Sequence, residues 1–242
     1  MQTMNLRVWD KPRPKNVYAI GGDPAEGLAH GDDSVIQVID CENGWQVAEL
    51  QGKIEPFAFA EHAFMLGTWY NNALVGIESN KDGGANRVLQ ELKYPNIYKD
   101  VKDVGETYDK YTEKLGININ LHNRHKLVAQ SRHMMEEDLA KPHSKELVSQ
   151  FEIFVLRNLK YEAIPGGHDD LVMAWVIACE MMRIACERKA SYESDLEPLW
   201  EGRSLDEEFE DSDVGLIDRH VAQAKSKQID QHSYSSTTES LV

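Results

Sequence analysis

Three segments rich in apolar residues stand near the start of the chain, separated by short polar loops. Residues 16–23 form a mostly apolar run that ends in a glycine turn, residues 34–40 form a second run, and residues 45–51 alternate apolar with polar positions. Runs of this length between glycine, aspartate and asparagine are typical of β-strands. Their short connections predict an antiparallel meander of three strands.

The pattern after residue 52 predicts alternating helices and strands. Pro56 suits the first turn of a helix, whereas residues 101–120 have no clear pattern. The predicted elements are a helix over 56–70, a strand over 73–79, a helix over 84–92, a short strand over 96–100, helices over 123–139 and 144–157, a short strand over 161–164 and a helix over 169–189. Three antiparallel strands followed by this series predict an α/β protein with a mixed central sheet flanked by helices, the order of a ribonuclease H-like fold.

Negative charge is concentrated in the C-terminal part of the chain. The formal net charge is −15, and residues 191–242 hold 13 acidic and 4 basic side chains, hence −9 of that total. We therefore expect a folded domain over residues 1–190 and an acidic, flexible tail over residues 191–242. A chain this acidic is unlike a general nucleic-acid binder, although cations held by carboxylates would reduce the repulsion of DNA.

The cysteines and apolar runs indicate the compartment. Cys41, Cys179 and Cys186 have no paired spacing, which predicts reduced thiols in a cytosolic protein. The first residues lack the apolar region of a signal peptide. The longest apolar run, residues 171–182, contains Glu180 and is too short to cross a bilayer, so we expect no membrane segment.

Four carboxylates stand at the ends of predicted elements. Asp23 ends the first strand, Glu78 ends the fourth, and Asp169 and Asp170 begin the last long helix. If the first and fourth strands are neighbours, both ends meet at one edge of the sheet, where the helix can point its N-terminus. Carboxylates that close repel one another unless cations lie between them. The sequence therefore predicts a site for two divalent cations, Mg²⁺ or Mn²⁺, that hydrolyses phosphodiesters.

Each of these acids also has a purely structural explanation. Aspartate is common in the turn that follows a strand, and an acid at a helix start accepts hydrogen bonds from the free N–H groups. A metal site is favoured because all the acids stand at the expected ends of their elements.

Three segments resemble one protein family in their order along the chain: YAIGGDPAEGLAHGDDSVIQVID, ALVGIESNKDGGANRVLQEL and YEAIPGGHDDLVMAWVIA. They are similar to the nuclease domain of the large terminase subunit of tailed bacteriophages, over about residues 17–190. The combination of GDPAEG, IE.N..G (residues 77–83, where a dot stands for any residue) and HDDLVMA is specific. The resemblance implies a ribonuclease H-like fold of the RuvC-like kind. It also implies a metal-dependent endonuclease that cleaves double-stranded concatemeric viral DNA during packaging, with little sequence preference.

The same resemblance implies roles for the site residues. Asp23 would be the carboxylate shared by both metals, and Glu78 would hold one of them. Asp170 is the preferred ligand for the second site, with Asp169 as the alternative. His168 would orient the cluster or a water molecule, unless it only stabilises the turn.

The most basic stretch of the chain precedes the last helix and is the expected contact for DNA phosphates. An ordinary solvated helix face would carry the same charges. The candidate DNA-binding residues are Arg124, Lys126, Arg132, Lys141 and Lys145.

The full family protein also carries an ATPase motor, but no GxxxxGK[ST] loop occurs here, so we expect no ATP hydrolysis by this chain. We expect an excised or separately encoded nuclease domain that acts in the host cell cytoplasm. The ATPase motor domain, the small terminase subunit and the portal protein are its implied partners. Two alternatives stay open: a RuvC-like junction resolvase, and a catalytically silent docking module of the packaging motor.

Overall fold

The computed structural model describes residues 4–80, 82–103 and 111–196, and the backbone alone for residues 101–103, 111–113 and 193–196. The described strands are β1 (Met4–Val8), β2 (Tyr18–Asp23), β3 (Ser34–Asp40), β4 (Gln46–Gly52), β5 (Leu74–Ile77), β6 (Lys99–Asp103), β7 (Tyr111–Leu115), β8 (Phe154–Arg157) and β9 (Lys160–Ala163). The described helices are α1 (Pro56–Trp69), α2 (Ala85–Glu91), α3 (Leu121–Glu136), α4 (Lys145–Ile153) and α5 (Asp170–Leu196).

A five-stranded mixed sheet forms the centre of the first compact unit, Met1–Tyr192. Its strand order is β1-β4-β3-β2-β5. The pairs β1–β4, β3–β4 and β2–β3 are antiparallel, whereas β2 and β5 are parallel. The predicted meander of three antiparallel strands and the predicted mixed sheet are therefore confirmed. Strand β5 lies beside β2, which is the condition under which Asp23 and Glu78 were expected to meet.

Successive residues of the central strands point to opposite faces of the sheet, and each face has its own hydrophobic core. In β2, Ala19 packs with residues of α3 and α5, while Tyr18 and Ile20 pack with residues of α1 and α2. Both faces of the sheet are thus covered by helices. This explains why the central strands are almost continuously apolar in sequence.

Helix α5 lies directly against two strands because glycines leave room for it. Gly21 and Gly76 face each other in the parallel pairing of β2 and β5. A Cβ atom on Gly21 would meet the backbone of Ala174 and Ala178, with the Cα atom of Ala178 at 2.7 Å. A Cβ atom on Gly76 would meet the side chain of Met181. The two glycines therefore allow α5 to lie close to β2 and β5.

The helix predicted over residues 144–157 is wrong over its last four residues. Helix α4 ends at Ile153, and the next four residues form β8, which pairs with β9. Asn158 and Leu159 close the hairpin with φ values of 48° and 60°. Two consecutive residues with positive φ make a tight turn that matches the twist of a hairpin. The prediction failed because the apolar pattern of this segment does not distinguish a helix from a strand.

Other differences concern the ends of the chain and of elements. Strand β1 was not predicted, although its apolar and polar residues alternate. Of the short strand expected over residues 96–100, Ile97 forms a single parallel bridge with Val75 of β5, and Lys99 begins β6, which pairs with β7. Helix α5 extends to Leu196, beyond the predicted end at residue 189. The flexible tail over residues 191–242 stays a prediction, because residues 197–242 lie outside the described part of the chain.

Among the described residues, no helix combines the length and the hydrophobicity that a bilayer crossing requires.

Candidate metal centre

Asp23 and Glu78 end two strands that lie side by side. Strands β2 and β5 are parallel, and Gly22 stands opposite Ile77 in the last step of the ladder. The amide of Glu78 donates a hydrogen bond to the carbonyl of Gly22 at 2.9 Å. Because neighbouring strands are about 4.8 Å apart, the next residues, Asp23 and Glu78, are close neighbours. The structure thus brings these two acids together at one edge of the sheet.

The N-terminus of α5 brings Asp169 and Asp170 to the same edge. The carbonyl of Asp169 accepts the first hydrogen bond of the helix, from the amide of Met173 at 2.8 Å. The Oδ2 atom of Asp170 accepts a hydrogen bond at 3.0 Å from the amide of Asp33, in the loop that follows β2. The side chain of Asp170 is only 10% exposed, so its carboxylate has lost most of its contact with water.

The electrostatics of Asp23 show that the four acids form one cluster. Burial raises the pKa of Asp23 well above its ordinary value, and the charges of Glu78, Asp170 and Asp169 raise it further. The charge of Arg124 opposes this rise. Like charges held this close to a partly buried carboxylate disfavour its ionised form. A bound cation would remove that penalty.

Asp170 has two further neighbours, His168 and Asp32. The Nδ1 atom of His168 lies 3.7 Å from Oδ1 of Asp32 and 3.9 Å from Oδ2 of Asp170. One ligand atom of each residue lies within 4.8 Å of the other two. Burial raises the pKa of Asp170 to about 6, although the hydrogen bond from the Asp33 amide lowers it. The charge of Asp32 raises this pKa further, and His168 lowers it. His168 therefore lies beside Asp170 and Asp32, and its role as an orienting residue stays a prediction.

Two residues near the cluster were not predicted as site residues. Asp32 belongs to the GDD segment between the first two predicted strands, which we interpreted as a loop. Asn80 donates a hydrogen bond from Nδ2 to Oε1 of Glu78 at 3.1 Å, and also bonds to the carbonyl of Ile119. The available signals were a further aspartate pair, Asp32 and Asp33, and an amide two positions after a candidate ligand.

The five basic candidates lie in different surroundings. The guanidinium of Arg124 is paired with Asp169 at 2.9 Å and therefore belongs to the carboxylate cluster. Arg132 is exposed and paired with Glu136 on its own helix. Lys141 pairs with Asp138, and its Nζ atom lies 5.7 Å from the centre of the Trp45 ring. Trp45 directly precedes β4, so Lys141 lies at the opposite end of the sheet from Asp23. The last two, Lys126 and Lys145, are exposed. A DNA-binding role for the five stays a prediction.

The donor set of the cluster suits hard divalent cations. Asp23, Glu78, Asp169 and Asp170 offer carboxylate oxygens, which are the ligands that Mg²⁺ and Mn²⁺ prefer. The described cluster contains no thiolate, the ligand that favours softer metals. The raised pKa values of Asp23 and Asp170 indicate charges that lack sufficient compensation within the protein.

The sequence matches no protein-family model and no curated protein. Solved structures do match. The large terminase nuclease of thermophilic phage G20c with bound magnesium has a TM-score of 0.58 and 18% identity, over 72% of this chain and 86% of that one. The same nuclease with bound cobalt has a TM-score of 0.57 and 18% identity over the same shares. The large terminase nuclease domain of Thermus phage P74-26 has a TM-score of 0.55 and 21% identity, over 72% of this chain and 83% of that one.

These matches rest on tertiary structure, since identities near 20% carry little sequence information. The mixed five-stranded sheet and its flanking helices agree with the architecture of the matched domains. The chain therefore has the ribonuclease H-like fold of phage large terminase nuclease domains, which is the fold that the resemblance implied.

Proposed function

We propose that this chain is a metal-dependent endonuclease that cleaves double-stranded, concatemeric viral DNA during genome packaging, as the nuclease part of a large terminase subunit. The observation that carries the proposal is the convergence of Asp23, Glu78 and Asp170 from two strands and a helix at one edge of the sheet. The fold shared with terminase nucleases that bind magnesium or cobalt supports it.

The acids have distinct positions and hence distinct roles in this proposal. Two divalent cations held by these acids would supply an activated water and would neutralise charge on the phosphodiester oxygens. Asp23, which is affected by the charges of the other three acids, would be the ligand that both cations share. Glu78 is held by Asn80 and presents its carboxylate from the neighbouring strand. Asp170, rigidly placed at the start of α5, completes the second site, and His168 orients it or the water.

Contacts to phosphates explain why the proposed cleavage has little sequence preference, because the DNA backbone carries no direct sequence information. Lys126, Arg132 and Lys145 are exposed and are the candidates for such contacts. The proposal further implies action in the host cell cytoplasm, together with the ATPase motor domain, the small terminase subunit and the portal protein.

The test is cleavage of supercoiled plasmid by the full chain with Mg²⁺ or Mn²⁺. Wild type is expected to degrade the plasmid, whereas EDTA, Asp23→Ala and Glu78→Ala abolish cleavage with the circular dichroism spectrum retained. Glu61→Gln removes an exposed acid of α1, on the other face of the sheet from α5, and should cleave as wild type does. A wild type that never cleaves under these conditions would indicate the silent docking module.

A competition between a four-way DNA junction and a linear duplex distinguishes the proposed nuclease from the remaining alternative, a RuvC-like junction resolvase. The proposed packaging nuclease cuts both substrates at similar rates. A junction resolvase would cut the junction preferentially and would form an obligate dimer, which light scattering would detect.

A further inference from the structure

Arg124 holds an unusual position for a residue of a basic helix. It lies in the first turns of α3, where its amide bonds to the carbonyl of Asn120 at 2.9 Å. Asn120 and Asn123 form a reciprocal capping box that fixes this end of the helix. The side chain of Arg124 is only 15% exposed. Most of this side chain is therefore shielded from solvent.

The partner of Arg124 is one of the two adjacent acids that sequence alone could not tell apart. Its Nη2 atom lies 2.9 Å from Oδ2 of Asp169. Asp170 instead accepts a backbone hydrogen bond from Asp33 and has the imidazole of His168 at 3.9 Å. The charge of Asp169 is therefore compensated by a full positive charge, while the more buried Asp170 has no such partner among the described residues.

The contact is more than a saturated structural ion pair. The Nε atom of Arg124 is buried and has no hydrogen-bond partner among the described residues. The field of Arg124 also reaches Asp23, whose pKa it lowers against the effect of burial and of the neighbouring acids. One guanidinium thus acts on two members of the cluster, at a point where a buried charge interacts strongly.

We propose that Arg124 is a positioning residue of the metal centre: by pairing with Asp169 it keeps that carboxylate out of the metal ligands and leaves Asp170 to complete the site with Asp23 and Glu78. This inference rests on the proposed function. Loss of Arg124 frees the charge of Asp169 within the cluster. The cluster then attracts cations more strongly but holds them in a geometry unsuited to cleavage.

Mn²⁺ binding to the full chain, measured by electron paramagnetic resonance, tests the assignment without depending on activity. Asp170→Asn is expected to weaken Mn²⁺ binding by about tenfold or more, and Asp169→Asn to change it by less than about threefold. Arg124→Gln is expected to tighten Mn²⁺ binding by about threefold while plasmid cleavage falls. Adding Asp169→Asn to Arg124→Gln should return the Mn²⁺ affinity to that of wild type.

Two controls exclude a merely structural role for the arginine. Arg124→Lys keeps the positive charge and should keep the wild-type Mn²⁺ affinity. Arg132→Gln removes another arginine of α3, one that is 76% exposed and paired with Glu136, and should leave the Mn²⁺ affinity at that of wild type. Circular dichroism and thermal unfolding of each variant report whether the fold is intact. If the ion pair only links α3 to α5, Arg124→Gln would lower the melting temperature without tightening Mn²⁺ binding.

The outcomes distinguish this inference from the proposed function. If Arg124→Gln leaves Mn²⁺ affinity unchanged or weakens it, while wild type cleaves plasmid, the assignment of Arg124 is overturned and the nuclease function stands. Equal loss of Mn²⁺ binding in Asp169→Asn and Asp170→Asn would overturn it as well. If wild type binds Mn²⁺ with the expected pattern of variants but never cleaves DNA, the proposed function fails and the role of Arg124 is supported.

Discussion

Gly21 and Gly76 face each other across the parallel pairing of β2 and β5, and the backbone and side chains of α5 fill the space above them. The two glycines therefore set the distance between the sheet and the helix that begins with Asp170. A side chain at either position would push α5 away from the edge where Asp23 and Glu78 stand.

We expect Gly21→Ala to lower the free energy of unfolding by about 3 kcal/mol, because its Cβ would overlap the backbone of α5, which cannot move locally. Thermal or urea unfolding measures the loss. Gly31→Ala is the matched control, since its Cβ would meet Leu28 at 3.5 Å, an ordinary contact, and its effect should stay within about 0.5 kcal/mol. Equal effects in the two variants would contradict the proposed packing constraint.

Asp23→Asn should stabilise the metal-free protein at pH 7.5. Its pKa is raised chiefly by burial and then by the neighbouring acids, so the ionised form is unfavourable in the folded state and a neutral amide relieves that cost. The melting temperature in EDTA should rise above that of wild type, while the further rise on adding Mg²⁺ is lost. A variant that melts below wild type in EDTA would show that the carboxylate of Asp23 stabilises the fold.

The stability of the metal-free protein should fall as pH rises through about 6. Burial raises the pKa of Asp170 from its ordinary 3.8 to about 6, so the folded state binds the proton more tightly than the unfolded state. The stabilisation that protonated Asp170 contributes is complete below its ordinary pKa of 3.8, and it is lost as the pH rises through its pKa of about 6 in the folded protein. The shift corresponds to at most about 3 kcal/mol.

Melting temperatures in EDTA between pH 4 and pH 8 measure this dependence. Asp170→Asn should flatten the curve between pH 5 and pH 7, and Mg²⁺ should stabilise wild type more at pH 7.5 than at pH 5. Glu42 and Glu162 have lowered pKa values because they pair with Lys189 and Arg157. Their effects have the opposite sign and belong to lower pH. A stabilisation by Mg²⁺ that is independent of pH would contradict the assignment.

Arg7→Met should lower the free energy of unfolding by about 3 kcal/mol. Arg7 on β1 pairs at 3.0 Å with Glu49 of β4, whose side chain is only 1% exposed. Removing the arginine leaves a buried carboxylate without its countercharge. Glu146→Gln is the control, since Glu146 is an exposed partner of the same arginine, and surface pairs contribute less than about 1 kcal/mol.

Features that depend on neighbouring residues in sequence were predicted well. The apolar runs that end at Asp23 and Glu78 gave the correct strands, whereas the pairing of these two strands was a condition of the prediction that the structure fulfils. The pair Asp169 and Asp170 was found because two acids rarely precede a long apolar run. Local pattern and connection length were sufficient for these conclusions.

Features that depend on contacts between distant segments were missed. Arg124 and Asp169 are 45 positions apart, so their ion pair could not be read from spacing, and Arg124 was grouped with exposed basic residues. The change from α4 to β8 depends on pairing with β9, which offsets the helical preference of a short apolar run. The position of Asp32 depends on how the loop after β2 folds back towards α5.

The hydrogen bond from the amide of Glu78 to Gly22 has a consequence for how metal affinity arises. Two of the acids are attached to adjacent, hydrogen-bonded backbones, so their spacing is established when the chain folds and not when an ion arrives. Binding then needs little reordering of the main chain, and the loss of conformational entropy has already occurred. Deuterium uptake at the Glu78 amide should accordingly be slow both with and without cations.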